Sequence, residues 1–478
     1  MRTHALAVVL SLGALGVAAP ARAHGGGGDW PMYNHDAAGS RHQTAETTLT
    51  PWNAHRLRTL WQLDTPGAVT GTPAVVADRV YIGDWARNFY KLRADDGHTL
   101  WTAHTVGPIS ASALVRDHRV IFGDQLGYLY GLDQDSGAIA WQIQPNPHPL
   151  AAIFGSAVPV GRYVAIGISS NEEQAAADPS YPCCSFRGSV VLLDPVNGQV
   201  KWQTYFISQT ESLAGSAGAT VWGTPTYDEE LDLLFVGTSN NYSYPATARS
   251  DAFLAIDPHD GHIVWENQRI QDDVSNFNIP WHENIDAGLG DSPQIYRLLD
   301  GRKVVGAGSK NGVFWILDAR SGQLVGERRI QGGGSLGGLF ADSAHAYGLN
   351  FANGIDWLEP FDFSVLPTGG LLTAFTGDLG VVLWQKKTPH SVNQSGVAVA
   401  NAVVYFSSCN PGTGDRLHDD FGTLYAVGAL TGHTYANVRL DHCALSGPAI
   451  SNGRVFVGSG NMFQFAVIPP GTITAIGL

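Results

Sequence analysis

Beyond residue 54 the apolar positions fall in short runs of four to six, cut by glycine and polar turn residues, with almost no 3.6-residue periodicity. RVYIGDW (79–85), RVIFGD (119–124), YVAIGIS (163–169), LLFVGTS (233–239) and VVGAGS (304–309) are typical. Short apolar runs bounded by Asn-Gly, Asp-Gly and Ser-Gly turns are strand and hairpin signals. The runs recur in a larger unit: strand, glycine turn, strand, then an Asp-containing turn with glycine and a tryptophan four residues on. Clear copies are ADDGHTLW ending at Trp101, DQDSGAIAW at Trp141, DPVNGQVKW at Trp202 and DPHDGHIVW at Trp265. DARSGQLVG ending at Gly326, GDLGVVLW at Trp384 and GALTGHTYA at Ala436 are looser, and Trp61 in LRTLWQL has the strand without its own turn.

A repeat of about four strands at a spacing of roughly forty to sixty residues predicts propeller blades, because radial closure leaves no long exposed edge. The last strands, RVFVGSG and GTITAIGL, lack a following tryptophan strand, and the strand around Trp61 lacks preceding partners. Each end completes the other. The expectation is one all-β domain over residues 54–478, an eight-bladed β-propeller with blade eight closed by the N- and C-terminal strands. The repeat tryptophans are read as packing between neighbouring blades, since large aromatics dominate such contacts.

Composition changes the picture in three ways. The opening MRTHALAVVLSLGALGVAAPARA has a basic start, an apolar run and an Ala-Arg-Ala ending. That layout predicts a cleavable secretory signal over 1–23, an arm over 24–53 and an exported, periplasmic protein without a membrane span. A formal charge of −14 argues against nucleic acid or an anionic membrane as partner. The four cysteines, Cys183, Cys184, Cys409 and Cys443, permit three pairings. No Cys-x-x-Cys-His occurs, so covalent haem is not expected.

Function is expected where the repeat is broken, on loops carried by a rigid scaffold. The chain breaks it at 169–188 (SSNEEQAAADPSYPCCSFRG), 238–251 (TSNNYSYPATARSD), 271–293 (QDDVSNFNIPWHENIDAGLGDSP) and 331–338 (QGGGSLGG). The four stretches are expected at one comparable point of successive blades, gathered on one face near the axis.

In these motifs the chain resembles the pyrroloquinoline quinone (PQQ)-dependent alcohol dehydrogenase superfamily, and within it the polyvinyl-alcohol-dehydrogenase-like branch. The resemblance starts at DWPMYNHDAAGSRHQ (29–43), where Asn34 stands at a usual glycine. It continues through SSNEE, CCSFRGSVVLLD, VWGTPTYD, GTSNNYS and SKNGVFWILD. It implies Trp222 as the indole on which the quinone stacks and a Cys183–Cys184 disulfide covering the opposite face. Two buried thiols, or pairing elsewhere, is the alternative. Arg187 would clamp a carboxylate of the cofactor, and Lys310 would stand beside the quinone oxygens. Asn240 and one of Glu172 or Glu173, with Glu173 slightly preferred, would bind Ca²⁺. The family's catalytic aspartate is replaced by Asn276, between Ser275 and Phe277. Asparagine is a poor proton acceptor. Asp286 is therefore the first choice for the base, and for a place at the metal, with Asp273 and Asp291 also open.

The resemblance implies oxidation of an alcohol, possible substrates being polymeric or secondary, by hydride transfer to PQQ. Electrons would leave to a separate cytochrome c. The alternative is a non-catalytic propeller acting as a protein-binding scaffold in the periplasm.

Overall fold

The computed structural model describes residues 28–279, 286–334, 337–356, 369–389, 391–410, 420–460 and 469–478. The expected signal segment 1–23 and residue His24 lie outside the described residues. Eight antiparallel units follow one another, from Ala74–Val76, Arg79–Gly83, Asn88–Arg93 and Thr99–His104 in the first blade onward, each of four strands except the third, which gains the short strand Ala151–Ala152. The eighth consists of Ala449–Ser451, Arg454–Gly460 and Gly471–Gly477, and its outermost strand is Arg58–Thr65, with Arg58 opposite Gly477. The predicted closure by both termini is present. Among the described residues no helix is long and apolar enough to cross a membrane.

The repeat tryptophans sit on the outermost strands, and each reaches into the next blade. Trp61, Trp101, Trp141, Trp202, Trp265 and Trp384 donate their indole N–H to the backbone carbonyls of Ala94, Gln134, Pro195, Pro258, Ala319 and Ala429. Each ring covers the turn glycine of that neighbour. Gly137, for example, has φ +73°, and a Cβ there would stand 2.6 Å from Trp101. That glycine is required twice, by its left-handed backbone and by the ring above it. At one junction the pair is exchanged: Gly326 replaces the tryptophan, and buried Leu379, at φ +65°, replaces the glycine and approaches it. The gap left by the missing indole is filled from the other side.

The short first strands of the blades contact one another around a closed inner ring. Hydroxyls and a carboxylate stitch it. The N–H of Ser112 donates to Ser156 Oγ, that of Ser156 to Thr224 Oγ1, that of Thr224 to Ser292 Oγ, and that of Ser292 to Asp342 Oδ1. The N-terminal arm then runs past the inner strands in order. Its backbone bonds Val75 from Trp30, Val115 from Pro31, Tyr227 from Ala37, Ile295 from Ala38, His345 from Ser40 and Val399 from Arg41. The Gln43 amide reaches Ile450 of the eighth blade. Arg41, fully buried, donates to the carbonyls of Val397 and Tyr33. The arm is thus an integral part of the propeller, joining blades far apart in sequence.

Candidate active site

The four interrupting stretches lie on one face, at two kinds of position. Residues 169–188 and 238–251 fall between the second and third strands of their blades, whereas 271–293 and 331–338 are connections from one blade to the next. In an antiparallel blade both kinds of turn emerge on the same side, which is why they meet.

Three of them, joined by the connection that carries Ala217 and Gly218, meet as a small accessory sheet. Arg187 bridges Gly218, Ala217 and Gly218 pair with Ser243 and Asn241, and Asn241 bridges Val274. Four loops are therefore hydrogen-bonded side by side, and the side chains they carry inherit a fixed spacing. The glycine-rich stretch closes over a neighbouring turn. Gly334 N–H donates to Lys310 O, and a Cβ on Gly333 or Gly338 would collide with that carbonyl.

Lys310 is buried, and its Nζ donates to Asp286 Oδ1 at 2.6 Å. The ammonium stands 5.7 Å from the Trp222 ring centroid and 5.6 Å from that of Phe340. Trp222 is half-buried, tilted against Phe340 at 5.0 Å, and lies two residues from the stitched ring at Thr224. It is not a repeat tryptophan. Burial draws the Lys310 pKa down, but the charges of Asp286 and Glu173 outweigh it and hold the group above its ordinary value.

Glu173 extends from the short helix Glu172–Ala175 toward this lysine. Burial, and then the Asp286 charge, push its pKa up to about 8, against the pull of Lys310 and Asn240. Fully buried Asn240 has its amide nitrogen on the carbonyls of Asn241 and Ser275, and its Oδ1 accepts from Ser239. Asp273 stands behind, accepting the N–H groups of Asp286 and Ala287 at 3.0 and 2.7 Å, so its carboxylate orients Asp286. Burial raises its pKa to about 6. Asp251 is also fully buried and is raised well above its usual value by burial and the charges of Asp273 and Asp286.

The neighbouring acid, Glu172, faces the other way. Its fully buried carboxylate accepts the N–H groups of Ser185 and Phe186, both at 2.8 Å, and the Tyr181 hydroxyl at 2.9 Å. It clasps the Cys183–Cys184 segment from both sides. Burial opposes its charge, yet His148 and the two N–H donors outweigh that and hold its pKa below the usual value. Consecutive glutamates thus divide two tasks: Glu172 anchors the cysteine loop and Glu173 enters the acidic cluster.

Cys183 and Cys184 are bonded to each other, and Cys409 is bonded to Cys443. Arg187 stacks on Tyr205 and donates to Ile207 O and Gln209 Oε1, so the structure aims it at the short helix Gln209–Leu213. Asn276 is engaged locally, donating to Tyr242 O and accepting from the N–H groups of Asn278 and Ile279. Asp291 lies apart from Lys310, in the stitched ring, where it accepts from Ser343 and Gly308. The structure therefore brings together Trp222, Lys310, Asp286, Glu173, Asn240 and Asp273. Sequence reasoning missed the anchoring role of Glu172 with His148, the packing of Phe340 on Trp222, and Asp251. Only the tandem Glu-Glu carried any prior signal.

The donor set suits a hard cation. The carboxylates of Glu173, Asp286 and Asp273 act on one another and on Lys310 through charge, with neither thiolate nor imidazole among them, and these acids outnumber the one ammonium. The half-buried indole beside that ammonium suits a flat anionic ring system.

Residues 53–325 match the PQQ_2 family, described as outer membrane protein assembly factor BamB. The chain is 27% identical over 447 residues to a polyvinylalcohol dehydrogenase of a Pseudomonas species, covering 86% of this chain and 70% of that protein. It is 28% identical over 333 residues to the polyvinylalcohol dehydrogenase of Sphingopyxis sp. (strain 113P3), covering 62% of this chain and half of that protein's length. Among solved structures, a europium-containing methanol dehydrogenase superposes with TM-score 0.73 at 17% identity, covering 95% of this chain and 98% of that one. BamB from Moraxella catarrhalis superposes with TM-score 0.57 at 13% identity, covering 88% and 98%. Matched by the family model over more than half its length, the chain belongs to the PQQ_2 propeller family, and over most of its length it is similar to a polyvinylalcohol dehydrogenase.

Proposed function

We propose that the protein oxidises an alcohol to a carbonyl with PQQ and Ca²⁺ bound on this face, in the periplasm, passing electrons to a separate cytochrome c. The observation that carries the reading is the buried Lys310–Asp286 pair, with the Lys310 ammonium over the Trp222 ring and Glu173 interacting with both charges. PQQ would supply a two-electron hydride acceptor and Ca²⁺ a Lewis acid. The remaining chemistry belongs to the chain. Trp222 and the Cys183–Cys184 segment are the surfaces for the two faces of the ring. Asp286, oriented by Asp273, accepts the hydroxyl proton of the alcohol. Lys310 holds negative charge as it develops on the oxygens of the ring system. Glu173 and Asn240, with Asp286, hold the metal. Closed packing around the cluster keeps water from competing for that proton.

Reconstitution tests this directly. The purified mature protein is titrated with PQQ and Ca²⁺ and assayed with an artificial electron acceptor and a panel of alcohols. Alcohol-dependent dye reduction, abolished in Asp286→Ala, is the expected result. Failure to bind PQQ would overturn the reading and leave the protein-binding propeller.

A further inference from the structure

The clasp around Cys183–Cys184 has one member that none of the four interrupting stretches supplies. His148 lies in the connection 144–150, which leads from the second blade into the third. Its backbone is fixed on both sides: its N–H donates to Asn146 Oδ1 at 3.0 Å, and its carbonyl accepts from the Ala151 N–H at 3.0 Å. The ring is fixed in turn, because the Leu150 N–H donates to Nδ1 at 3.2 Å. A ring nitrogen that accepts a hydrogen bond carries no hydrogen, so the neutral imidazole bears its hydrogen on Nε2. That nitrogen stands 3.1 Å from Ser185 Oγ and 3.5 Å from Glu172 Oε1, and the ring meets Phe186 edge-on at 5.4 Å.

Glu172, Tyr181, Ser185 and Phe186 all belong to the inserted stretch 169–188, so the bonds to the Glu172 carboxylate close that stretch on itself. His148 ties the closed loop to a segment outside it. The bonds run in one direction. The Leu150 N–H donates to the ring, the ring to the Ser185 hydroxyl, and that hydroxyl to Glu172 Oε1 at 3.4 Å. A run of donors ending on a fully buried carboxylate requires the Nε2–H form throughout. The Leu150 carbonyl also accepts the Asn171 N–H at 2.8 Å. One short connection thus holds the insertion at its start and again at Ser185, the residue after Cys184.

We propose that His148, as its Nε2–H tautomer, is a positioning residue for the cofactor: it holds the Cys183–Cys184 segment in place as the cover of the ring system and so sets how long PQQ stays bound. This rests on the dehydrogenase reading above. His148 touches neither quinone nor alcohol and acts through Ser185 and Glu172.

Two variants separate the donor from the ring. His148→Phe keeps an aromatic side chain against Phe186 and donates nothing, whereas His148→Gln places an amide N–H group near the position of Nε2. The first readout uses the apoprotein: the rate at which a water-soluble phosphine reduces Cys183–Cys184, with the fully buried Cys409–Cys443 bridge as internal reference. His148→Phe should speed reduction of the first bridge about tenfold, with His148→Gln close to wild type and the reference unchanged. Equal rates in the three proteins would overturn the proposal, and so would parallel acceleration of both bridges, which marks general loosening of the fold. Nitrogen-15 NMR of the His148 ring gives an independent check, and hydrogen on Nδ1 would overturn the donor chain. The second readout is release of PQQ from the Ca²⁺-loaded holoprotein, followed by absorbance after rapid gel filtration. Release about tenfold faster from His148→Phe, restored by His148→Gln, is expected. Unchanged release would sink the positioning role alone, whereas failure of all three proteins to bind PQQ would sink the dehydrogenase reading.

Discussion

Lys310→Met and Asp286→Asn remove opposite halves of one 2.6 Å ion pair, yet the two substitutions should behave very differently. Lys310 is the cation that Glu173, Asp273, Asp251 and Asp286 all interact with. Replacing it leaves a buried group of acids with nothing to offset them. Breaking a buried pair in this way costs about 3–5 kcal/mol. Asp286→Asn takes a negative charge from a cluster already in excess of acid, and Lys310 keeps Glu173 and Asp273. Its effect on stability should stay within about 1 kcal/mol. Activity should show the reverse emphasis, Asp286→Asn lowering kcat by roughly 10²–10⁴ through loss of the base. Urea unfolding of the apoproteins at pH 7 reads the first difference and dye reduction the second. Saturating Ca²⁺, at a hundred times its Kd, should return about 2.7 kcal/mol to Lys310→Met. Equal destabilisation by the two substitutions, or no recovery with Ca²⁺, would refute the account of Lys310 as the internal counter-charge of a metal site.

Glu173 is raised from 4.5 to about 8, so the native state binds more protons than the unfolded chain between those values. The apoprotein should therefore lose stability as pH rises across that window, while Ca²⁺ affinity rises by up to about tenfold per pH unit below 8, measured by titration calorimetry. Leu379→Gly should lower stability by about 1–3 kcal/mol, with Gly326→Trp in the same chain restoring most of it by rebuilding the indole–glycine contact, as a double-mutant thermal series would show. Serine at both Cys409 and Cys443, which close a loop with sequence separation 34, should cost about 4 kcal/mol in guanidinium unfolding.

The propeller was legible because its unit is local. A glycine at φ above zero and a tryptophan four residues later are both written inside one blade, and the indole–glycine contact between blades repeats them. The exchange at Gly326 and Leu379 was not legible, since two departures 53 positions apart compensate only in space. The site was legible as far as motifs reached. Trp222, Lys310 and Asp286 are brought together by a path through three loops that no spacing encodes. Glu172 and Glu173 are adjacent letters with opposite directions, which follows from one helical residue turning the side chain by about 100°. Asp251 carried no signal at all, being one aspartate among many turn aspartates. The path of the arm was also hidden, because its contacts are backbone bonds that residue identity does not announce.

The arm and the strand Arg58–Thr65 are the earliest part of the described chain, yet their partners include its last strand, Gly471–Gly477. Nothing made first can be finished first. A chain lacking that strand would present two raw sheet edges, one on Arg454–Gly460 and one on Arg58–Thr65, and such edges recruit other chains. The ring therefore sets an all-or-none condition on synthesis. Truncation by even one C-terminal strand should yield aggregate rather than a seven-bladed remnant, and the contact order of this closure makes the complete fold slow to assemble.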